Sequence, residues 1–291
     1  MNIQFINFVI DYMFNKQQKQ ISFKDYKKII YHIFGYILDN TCSETITKIL
    51  FPIIVPIYPV TYKYNKKLFY PTTDNYKDVF LRKYKKIRID KNAHIVNPVD
   101  GLFIESNKII NNSIYINDIQ MSLDKIFYKN TPKFNNYCYN IFYLRYNDYH
   151  YVHFPVDCKV LNIINIPGNY FWMEPAQEFG CKFIGKNYRK IFVLLDTKTN
   201  KKCYIIMIAS IIVGGIHTIF YNEENESINE SEYYNIDLSS KDIIVKKGDF
   251  LSNFYIGSMV IYLCKIVDNL KYTAKKFSLT DEIKIGNNMN N

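Results

Sequence analysis

From about residue 90 onward, hydrophobic positions fall in short runs of β-branched and aromatic residues that are separated by turn-forming residues. Runs of this kind are typical of β-strands. The predicted strands are residues 94–96, 139–144, 159–164, 191–195, 204–208, 211–219, 242–245 and 259–263. Between two of these runs, Asp196-Thr197-Lys198-Thr199-Asn200 predicts a hairpin connection. The body of the chain is therefore expected to be mostly β.

The N-terminal part of the chain follows a helical pattern instead. Residues 22–38 place apolar side chains on one stripe, and Ser22 and Asp25 resemble a capping box at the start of that stripe. Residues 1–14 are also apolar and aromatic, and they predict another helix. A helix of this kind either packs on the core or lies on a membrane surface with its lysines toward the headgroups. The sequence leaves both alternatives open.

Length and composition favour one catalytic domain behind this extension. The chain has 291 residues, of which 48% are hydrophobic and 22% are charged, so it can bury a substantial core. We predict the α+β class, with an N-terminal helical, membrane-associating extension at residues 1–75 and a catalytic β-rich domain at residues 76–291. Its core is expected to be a mostly antiparallel β-sheet or a partly closed barrel, with the active-site segments at one end.

The net charge of +10 predicts attraction to an anionic partner. No helix-turn-helix, zinc-finger or RNA-binding motif accompanies the charge, so nucleic acid is not expected. An anionic membrane surface fits better, because each Lys or Arg near such a surface contributes about 1 kcal/mol. The longest apolar run, residues 49–60, is broken by prolines and is shorter than the roughly 20 residues of a spanning helix. We expect an intracellular, peripheral membrane protein; a solvated lysine-rich surface without a partner is the alternative.

Several other chemistries are not indicated by the sequence. No C-x-x-C pair and no zinc-finger spacing is present, so we predict no metal site and expect buried, reduced thiols. Nucleotide-binding loops of the G-x-G-x-x-G or Walker type are also missing from the sequence. The six cysteines are Cys42, Cys138, Cys158, Cys181, Cys203 and Cys264.

Three separated segments supply the parts of a nucleophilic triad. Ser258 follows Gly257 near the C-terminus, His153 lies in an aromatic segment, and Asp100 precedes a glycine. A serine becomes a nucleophile when a neighbouring base takes its proton, and a carboxylate that orients the base improves this. Each residue alone is a weak indication, since Gly-Ser pairs are common in turns. Together they predict a site for nucleophilic chemistry.

The three segments, in this order, resemble the phosphatidylserine decarboxylase family. Val96-Asn97-Pro98-Val99-Asp100-Gly101 is similar to its V-x-P-x-D-G motif, and Asp148-Tyr149-His150-Tyr151-Val152-His153-Phe154-Pro155 is similar to D-Y-H-x-x-H-x-P. The Gly257-Ser258 pair follows near the C-terminus, as in the family. Weaker similarities extend the resemblance over residues 76–286. They lie at residues 76–82, 116–123, 167–170, 187–189 and 247–249.

The resemblance implies a proenzyme that makes its own cofactor. Ser258 Oγ, deprotonated by His153 with Asp100 behind it, is expected to attack the carbonyl of Gly257. Cleavage would then leave a large subunit, residues 1–257, and a small subunit that starts with a pyruvoyl group at position 258. That covalent pyruvoyl group would act as the electron sink for decarboxylation of phosphatidylserine to phosphatidylethanolamine. His150 is expected to protonate the product carbon, and the resemblance also implies a homodimer.

The spacing of the two histidines bears on whether they share a pocket. In a strand, His150 and His153 would point to opposite faces because side chains alternate with period two. In a turn or a single helical turn they would lie on one face. Asp148 and Pro155 favour an irregular segment, so both rings are expected to reach the same pocket. The alternative is that one ring is structural and the other functional.

Some positions depart from the family pattern. Met259 stands where a small hydroxyl residue usually follows the reactive serine, and Tyr188 stands where the family has the Glu of N-E-R. Asn117-Asp118 and Met121 likewise replace family residues within the similar segment at residues 116–123. These differences keep open a second hypothesis, in which the chain is a catalytically inactive relative that binds anionic lipid or a protein partner.

Overall fold

The fold is described from a computed structural model of the chain. The structure describes residues 81, 83–116, 118–145, 148–169, 184–210, 216–220, 232–254, 258–266, 275–276 and 282–289. The predicted N-terminal extension, residues 1–75, lies outside the described residues. Gly257, on the N-terminal side of the expected cleavage point, lies outside them too, whereas the backbone of Ser258 is described.

Strands dominate the described part of the chain. In chain order they are β1 (Gly101–Lys108), β2 (Ser113–Ile116), β3 (Ile119–Ser122), β4 (Tyr137–Leu144), β5 (Tyr151–His153), β6 (Cys158–Ile166), β7 (Arg189–Asp196), β8 (Lys201–Ala209), β9 (Ile216–Thr218), β10 (Tyr234–Asp237), β11 (Ile244–Val245), β12 (Phe250–Phe254), β13 (Ser258–Lys265), β14 (Lys275–Lys276) and β15 (Glu282–Ile283). Among the described residues, the α-helix α1 (Leu123–Phe127) and the 3-10 turns Ile184–Lys186 and Ser239–Lys241 accompany these strands.

One large antiparallel sheet forms the body of the protein. Its order is β10-β6-β7-β8-β13-β4-β1-β14, with β11 also paired to β6 and β15 to β1. Strands β7, β8, β13 and β4 are buried on both faces, and the two faces contribute to two separate hydrophobic clusters. Strands that are covered on both faces have near-continuous apolar runs, as in Ile205-Ile206-Met207-Ile208. This is why short apolar runs bounded by turn-forming residues identified the central strands in the sequence.

A smaller sheet and a returning C-terminal segment stand beside the large sheet. The smaller sheet has the order β5-β12-β9. The C-terminal segment runs back along residues 95–97, where Asn97 N donates to Asn287 O, Gly286 N donates to Asn97 O, and Met289 N donates to Ile95 O. These pairings hold the segment before β1 in place, and Asp100 is part of that segment.

A buried arginine anchors the short helix against the large sheet. Arg189 donates to the carbonyls of Lys125 and Ile126 at the end of α1, at 2.6 and 2.5 Å, and to the Asn187 carbonyl at 2.5 Å. Burial lowers the pKa of Arg189 to about 10, so its side chain remains cationic at neutral pH. At the other end of α1, the Ser122 hydroxyl accepts from Asp124 N as an N-cap. The β2–β3 hairpin and α1 are thereby tied to the start of β7.

Most of the predicted strands are confirmed, and the differences have local causes. The expected runs match β4, β6, β7, β8 and β13, and the hairpin at residues 196–200 joins β7 to β8. Residues 94–96 contribute only a single bridge between Val96 and Asn288. Of the run predicted at residues 211–219, β9 is a strand and residues 211–215 lie outside the described residues. The prediction of residues 242–245 was too long, because Asp242 adopts a left-handed conformation and only β11 follows it.

The sheet-rich class is confirmed, while other parts of the fold prediction have different outcomes. The described strands form three antiparallel sheets, none of which closes into a barrel, so the barrel alternative was wrong for this part of the chain. Among the described residues, no helix has the length and apolar character needed to cross a membrane. The division at residue 75 stays a prediction.

Gly101 generates a prediction about stability. Its φ is +146°, and a Cβ at this position would lie 2.4 Å from the Tyr143 carbonyl oxygen, where β1 and β4 meet. Gly101→Ala should therefore cost about 2 kcal/mol in strain and clash, which corresponds to about 4–8 °C in melting temperature. Thermal unfolding followed by circular dichroism measures this shift.

Gly185→Ala is the matched control. A Cβ at Gly185 would lie 3.1 Å from the Lys125 Cβ, and its φ is not in the left-handed region. We expect a change below about 1 kcal/mol for this variant. Equal melting temperatures for the two variants would contradict the close approach of β1 to β4.

Candidate active site

Strand β13 begins at Ser258 in the middle of the large sheet. Ser258 pairs with Leu144 of β4 on one side and with Ala209 of β8 on the other. Strand β1 lies on the far side of β4, and a Cβ on Gly101 would lie 3.4 Å from the Leu144 Cα. Because neighbouring strands are about 4.8 Å apart, the backbones at Gly101 and Ser258 are about 10 Å apart. The Asp100 segment and the start of β13 therefore lie at the same edge of the sheet, which is the edge formed by the ends of the strands.

The two-histidine segment reaches the same edge. After β4, the carboxylate of Asp148 accepts from Arg145 N, Nε and Nη2 at 2.9 to 3.0 Å and closes a tight turn. His153 N then donates to Pro98 O, and Phe254 N donates to His150 O. The first bond joins the segment to the residues before Asp100, and the second joins it to the end of β12, four residues before Ser258. The backbone thus brings the three predicted segments together.

The irregular conformation expected around the histidines is found in only part of the segment. Residues 148–150 are irregular, as predicted, whereas Tyr151–His153 forms the short strand β5. Its partner β12 has a register shift between Phe250 and Ser252, so the pairing is not that of a regular ladder. Both histidines are buried, with 0% exposure for His150 and 5% for His153. That both rings reach one pocket stays a prediction.

His153 is held in a defined tautomer. Its Nδ1 lies 2.8 Å from the Gly248 carbonyl oxygen, which can only accept, so Nδ1 carries the proton. Its Nε2 then has a free electron pair and accepts from the Tyr149 hydroxyl at 2.9 Å. Burial lowers the pKa of His153 to about 4, and the Gly248 and Asp249 contacts oppose this only partly. At neutral pH the ring is uncharged, and its basic nitrogen is Nε2.

His150 has the same tautomer for a similar reason. Its Nδ1 lies 2.8 Å from the Asp148 carbonyl oxygen, so this nitrogen donates the hydrogen bond. The other ring nitrogen, Nε2, is buried. An imidazole with a defined orientation can exchange a proton through Nε2 with a reacting group beside it.

Asp100 lies at this edge, but its carboxylate does not bond to His153. It is 1% exposed and accepts from the Tyr84 hydroxyl at 2.5 Å and from Ile285 N at 2.8 Å. The Lys284 ammonium lies 3.3 Å from the same carboxylate oxygen as Tyr84. The expected direct support of His153 by Asp100 is therefore not found in this structure, because the Gly248 carbonyl occupies Nδ1.

Two tyrosine rings connect the carboxylate and the imidazole. The Tyr84 ring lies 4.5 Å from the Tyr149 ring, centroid to centroid, and the Tyr149 ring lies 5.8 Å from the His153 ring. The charge of Asp100 contributes to the raised pKa of Tyr149, after the larger effect of burial, so this phenol stays protonated. Asp100 and His153 thus belong to one packed cluster without a shared hydrogen bond.

Further segments of the family resemblance meet on the other side of Ser258. A Cβ on Gly168 would lie 2.3 Å from the Asn187 carbonyl carbon, and Tyr188 N donates to Asn169 O. The Asn187 side chain donates to the carbonyl of Ala209, which is the β8 partner of Ser258. The loop from residue 167 and the turn before β7 therefore support the strand that supports Ser258.

The two departures with the greatest bearing on the site have structural explanations. Met259 is fully buried in the hydrophobic cluster that also contains Leu102 and Ile208, so it is a core residue. Tyr188 is buried, and its hydroxyl donates to Asn165 Oδ1 at 3.0 Å across to β6. Neither contact removes a group that the expected chemistry needs.

Sequence reasoning missed three contributors to the site. Tyr84 had no distinctive context, and Tyr149 was read only as part of the motif that carries the histidines. The Gly248 carbonyl belongs to the backbone and leaves no trace in side-chain chemistry. The only available signal was Gly248 itself, whose φ of +88° favours glycine and turns its carbonyl toward His153.

The surroundings of residue 258 bear on whether a group built from this residue can be held in place. In the described ranges, no group of three or more His, Cys, Asp or Glu side chains is arranged to hold a metal. A group built from residue 258 would remain at the first position of β13, where β4 and β8 hold the backbone on both sides. Buried His150 lies on the segment that bonds to the end of β12. These features fit a covalent pyruvoyl group.

Comparison with known proteins identifies the family of this chain. A family model described as phosphatidylserine decarboxylase matches residues 76–289. A phosphatidylserine decarboxylase proenzyme from Wigglesworthia glossinidia brevipalpis is 31% identical over 206 residues, which cover 65% of this chain and 69% of the relative. One from Coxiella burnetii is 24% identical over 199 residues, with 67% and 69% covered. Because the family model spans most of the sequence, including all three segments that meet at Ser258, the chain belongs to the phosphatidylserine decarboxylase family.

Proposed function

We propose that this chain is a phosphatidylserine decarboxylase proenzyme that cuts itself between Gly257 and Ser258. The observation that carries the proposal is the convergence of the Asp100, His150–His153 and Ser258 segments at one edge of the large sheet. Family membership and the names of the relatives support the same activity. The inactive-relative hypothesis is not favoured by these comparisons.

Self-cleavage uses groups of the chain and one water molecule. His153, neutral with a free pair on Nε2, takes the proton of Ser258 Oγ, which attacks the carbonyl carbon of Gly257. The Gly257–Ser258 peptide bond is replaced by an ester bond to Oγ. Loss of the Ser258 α-proton then breaks the bond from Cβ to Oγ and releases the Gly257 carboxylate. Water removes the nitrogen of residue 258 as ammonia, and a pyruvoyl group remains.

Tyr149 must give way for this reaction to begin. Its hydroxyl donates to the nitrogen that the serine needs, His153 Nε2. Two routes are compatible with this hydrogen bond: the phenol turns aside, or it passes its proton to Nε2 while accepting one from Ser258 Oγ. In both routes the Gly248 carbonyl keeps Nδ1 protonated, so Nε2 remains the accepting atom.

Decarboxylation then depends on the same edge of the sheet. When present, the pyruvoyl group supplies a ketone that binds the substrate amine and accepts the electrons released with carbon dioxide. The chain's own part is to hold residue 258 between β4 and β8 and to deliver a proton. His150, buried and oriented through its Nδ1, is the residue we assign to that proton transfer.

The partners follow from the proposed substrate. Phosphatidylserine resides in a membrane, and the net charge of +10 favours an anionic surface. We therefore propose an intracellular, peripheral membrane enzyme made of its own large and small subunits. A homodimer is the proposed oligomeric state, because the family resemblance implies one.

Mass spectrometry of the purified protein tests self-cleavage. We expect two pieces, the smaller being residues 258–291 with a blocked, carbonyl-reactive N-terminus. Ser258→Ala and His153→Ala should remain one chain because each removes a reacting group of the cut. His150→Ala should be cut normally yet release no carbon dioxide from phosphatidylserine vesicles.

The His150 and His153 variants act as controls for each other. The two substitutions remove the same side chain from positions three residues apart. A general folding defect would therefore reduce the cleavage and the solubility of both variants. An intact wild-type chain would contradict the proposed function. Uncut His150→Ala protein would mean that the two imidazoles have been assigned to the wrong steps.

The lowered pKa of His153 predicts an unusual pH dependence. An ordinary histidine loses its basic form below about pH 6.5, whereas His153 keeps it to about pH 4. The rate of self-cleavage, measured on freshly translated precursor, should change little between about pH 8 and pH 5.5 and fall near pH 4. A rate that halves near pH 6.5 would argue against His153 as the base.

The same shift makes the folded protein less stable in acid. The unfolded chain binds a proton on His153 at about pH 6.5, whereas the folded chain binds it only at about pH 4. The contribution of neutral His153 to the free energy of unfolding is therefore complete above pH 6.5 and is lost as the pH falls toward 4. Cleavage rates should therefore be compared only at pH values where circular dichroism shows folded protein.

Substitutions at Asp100 and Lys284 distinguish the effect of the Asp100 charge from the effect of its ion pair with Lys284. Asp100→Asn keeps the size of the side chain but removes its charge, and we expect self-cleavage at least about 100-fold slower. Lys284→Met breaks the ion pair but leaves the bonds from Tyr84 and Ile285, and it should cleave near the wild-type rate because Lys284 is largely exposed. Time courses on denaturing gels measure both. Equal slowing would contradict a role for the Asp100 charge that is independent of Lys284.

A further inference from the structure

Two thiols face each other far from the candidate active site. Cys138, near the start of β4, pairs directly with Cys264, near the end of β13. Their sulfur atoms are 3.3 Å apart and share a hydrogen bond. Ser258 is at the opposite end of β13, so nothing in the proposed reaction uses these cysteines.

The register of the two strands suits a covalent link. Ile266 N donates to Asn136 O, so the residues paired two positions further along, Cys138 and Cys264, form a hydrogen-bonded pair. Such pairs have Cα atoms about 5.5 Å apart, within the range of about 4.4–6.8 Å found for disulfides. To bond, the sulfur atoms must approach from 3.3 Å to about 2.0 Å.

The Cys138 thiol is more acidic than the Cys264 thiol. The hydrogen bond from Cys264 lowers the pKa of the Cys138 thiol, whereas that bond and burial raise the pKa of Cys264. The thiolate is the form that reacts with oxidants. Cys138 is 5% exposed and Cys264 is 8% exposed, so only small oxidants can reach the two thiols.

We propose that Cys138 and Cys264 form a peroxide-sensitive dithiol whose oxidation joins β4 to β13 by a disulfide. Cys138 attacks one oxygen of a hydroperoxide, which breaks the O–O bond and gives a sulfenic acid and, with hydrogen peroxide, water. The Cys264 sulfur then displaces the sulfenic oxygen as a second water, so two thiols lose two hydrogen atoms in total. An external thiol reverses the link.

The link has a consequence that rests on the proposed self-cleavage. Cys138 would belong to the large subunit and Cys264 to the small one. Oxidation would therefore join the two subunits covalently at the end of β13 opposite residue 258. The small subunit, otherwise held by non-covalent pairing, would remain attached even in the unfolded protein.

The experiment treats the purified protein with hydrogen peroxide, blocks remaining thiols and maps peptides by mass spectrometry. We expect a peptide pair joined through Cys138 and Cys264 that separates with dithiothreitol. On non-reducing denaturing gels the small fragment should migrate with the large one. The uncut Ser258→Ala protein should give the same joined peptides, which makes the result independent of self-cleavage.

Cys203 provides a matched control. It is buried and lies opposite Cys264 on β8, but its thiol faces Tyr262 and burial raises its pKa to about 12. Cys203→Ser should keep the peroxide link, and Cys264→Ser should lose it. Blocked, unlinked Cys138 and Cys264 after peroxide treatment would overturn the proposal. So would a link between either residue and Cys42 or Cys181.

Discussion

The position of β13 in the centre of the large sheet is the constraint on which the rest of the structure depends. From Ser258 to Cys264 this strand pairs with β4 on one side and with β8 on the other, and both faces are buried. A chain cut just before such a strand keeps the ladders that hold its new N-terminus. The same pairing would let the fold survive the proposed cut and would keep residue 258 in place as the proposed reacting group.

Burial controls the chemistry around this strand. In a low-dielectric site an uncharged imidazole is favoured, and a backbone carbonyl is a sufficient partner for its N–H, which is what Gly248 provides for His153. The buried charge of Asp100 is balanced instead by the Tyr84 hydroxyl, Ile285 N and the Lys284 ammonium. The carboxylate and the imidazole are thereby stabilised separately, although they lie in one cluster.

The fold was predictable where burial leaves a continuous apolar run, as in β7, β8 and β13. It was missed where polar residues are buried in strands. In β1, Glu105 and Ser106 are buried, and in β12, Ser252 and Asn253 are buried, so neither strand has the expected pattern. Local patterns assume that polar side chains face water, but cross-strand neighbours and caps can satisfy them inside the protein.

For the candidate site, the sequence by itself determined which residue types are present and in what order. The resemblance depends on the motifs that contain Asp100, His150, His153 and Ser258. Only the tertiary structure decided which groups form hydrogen bonds with each other. It assigned the Gly248 carbonyl to His153, Tyr84 to Asp100 and Cys138 to Cys264, although these partners are far apart in the chain or carry no distinctive side chain. The physical reason is that hydrogen bonds and burial depend on distances in space, which a linear order of residues does not contain.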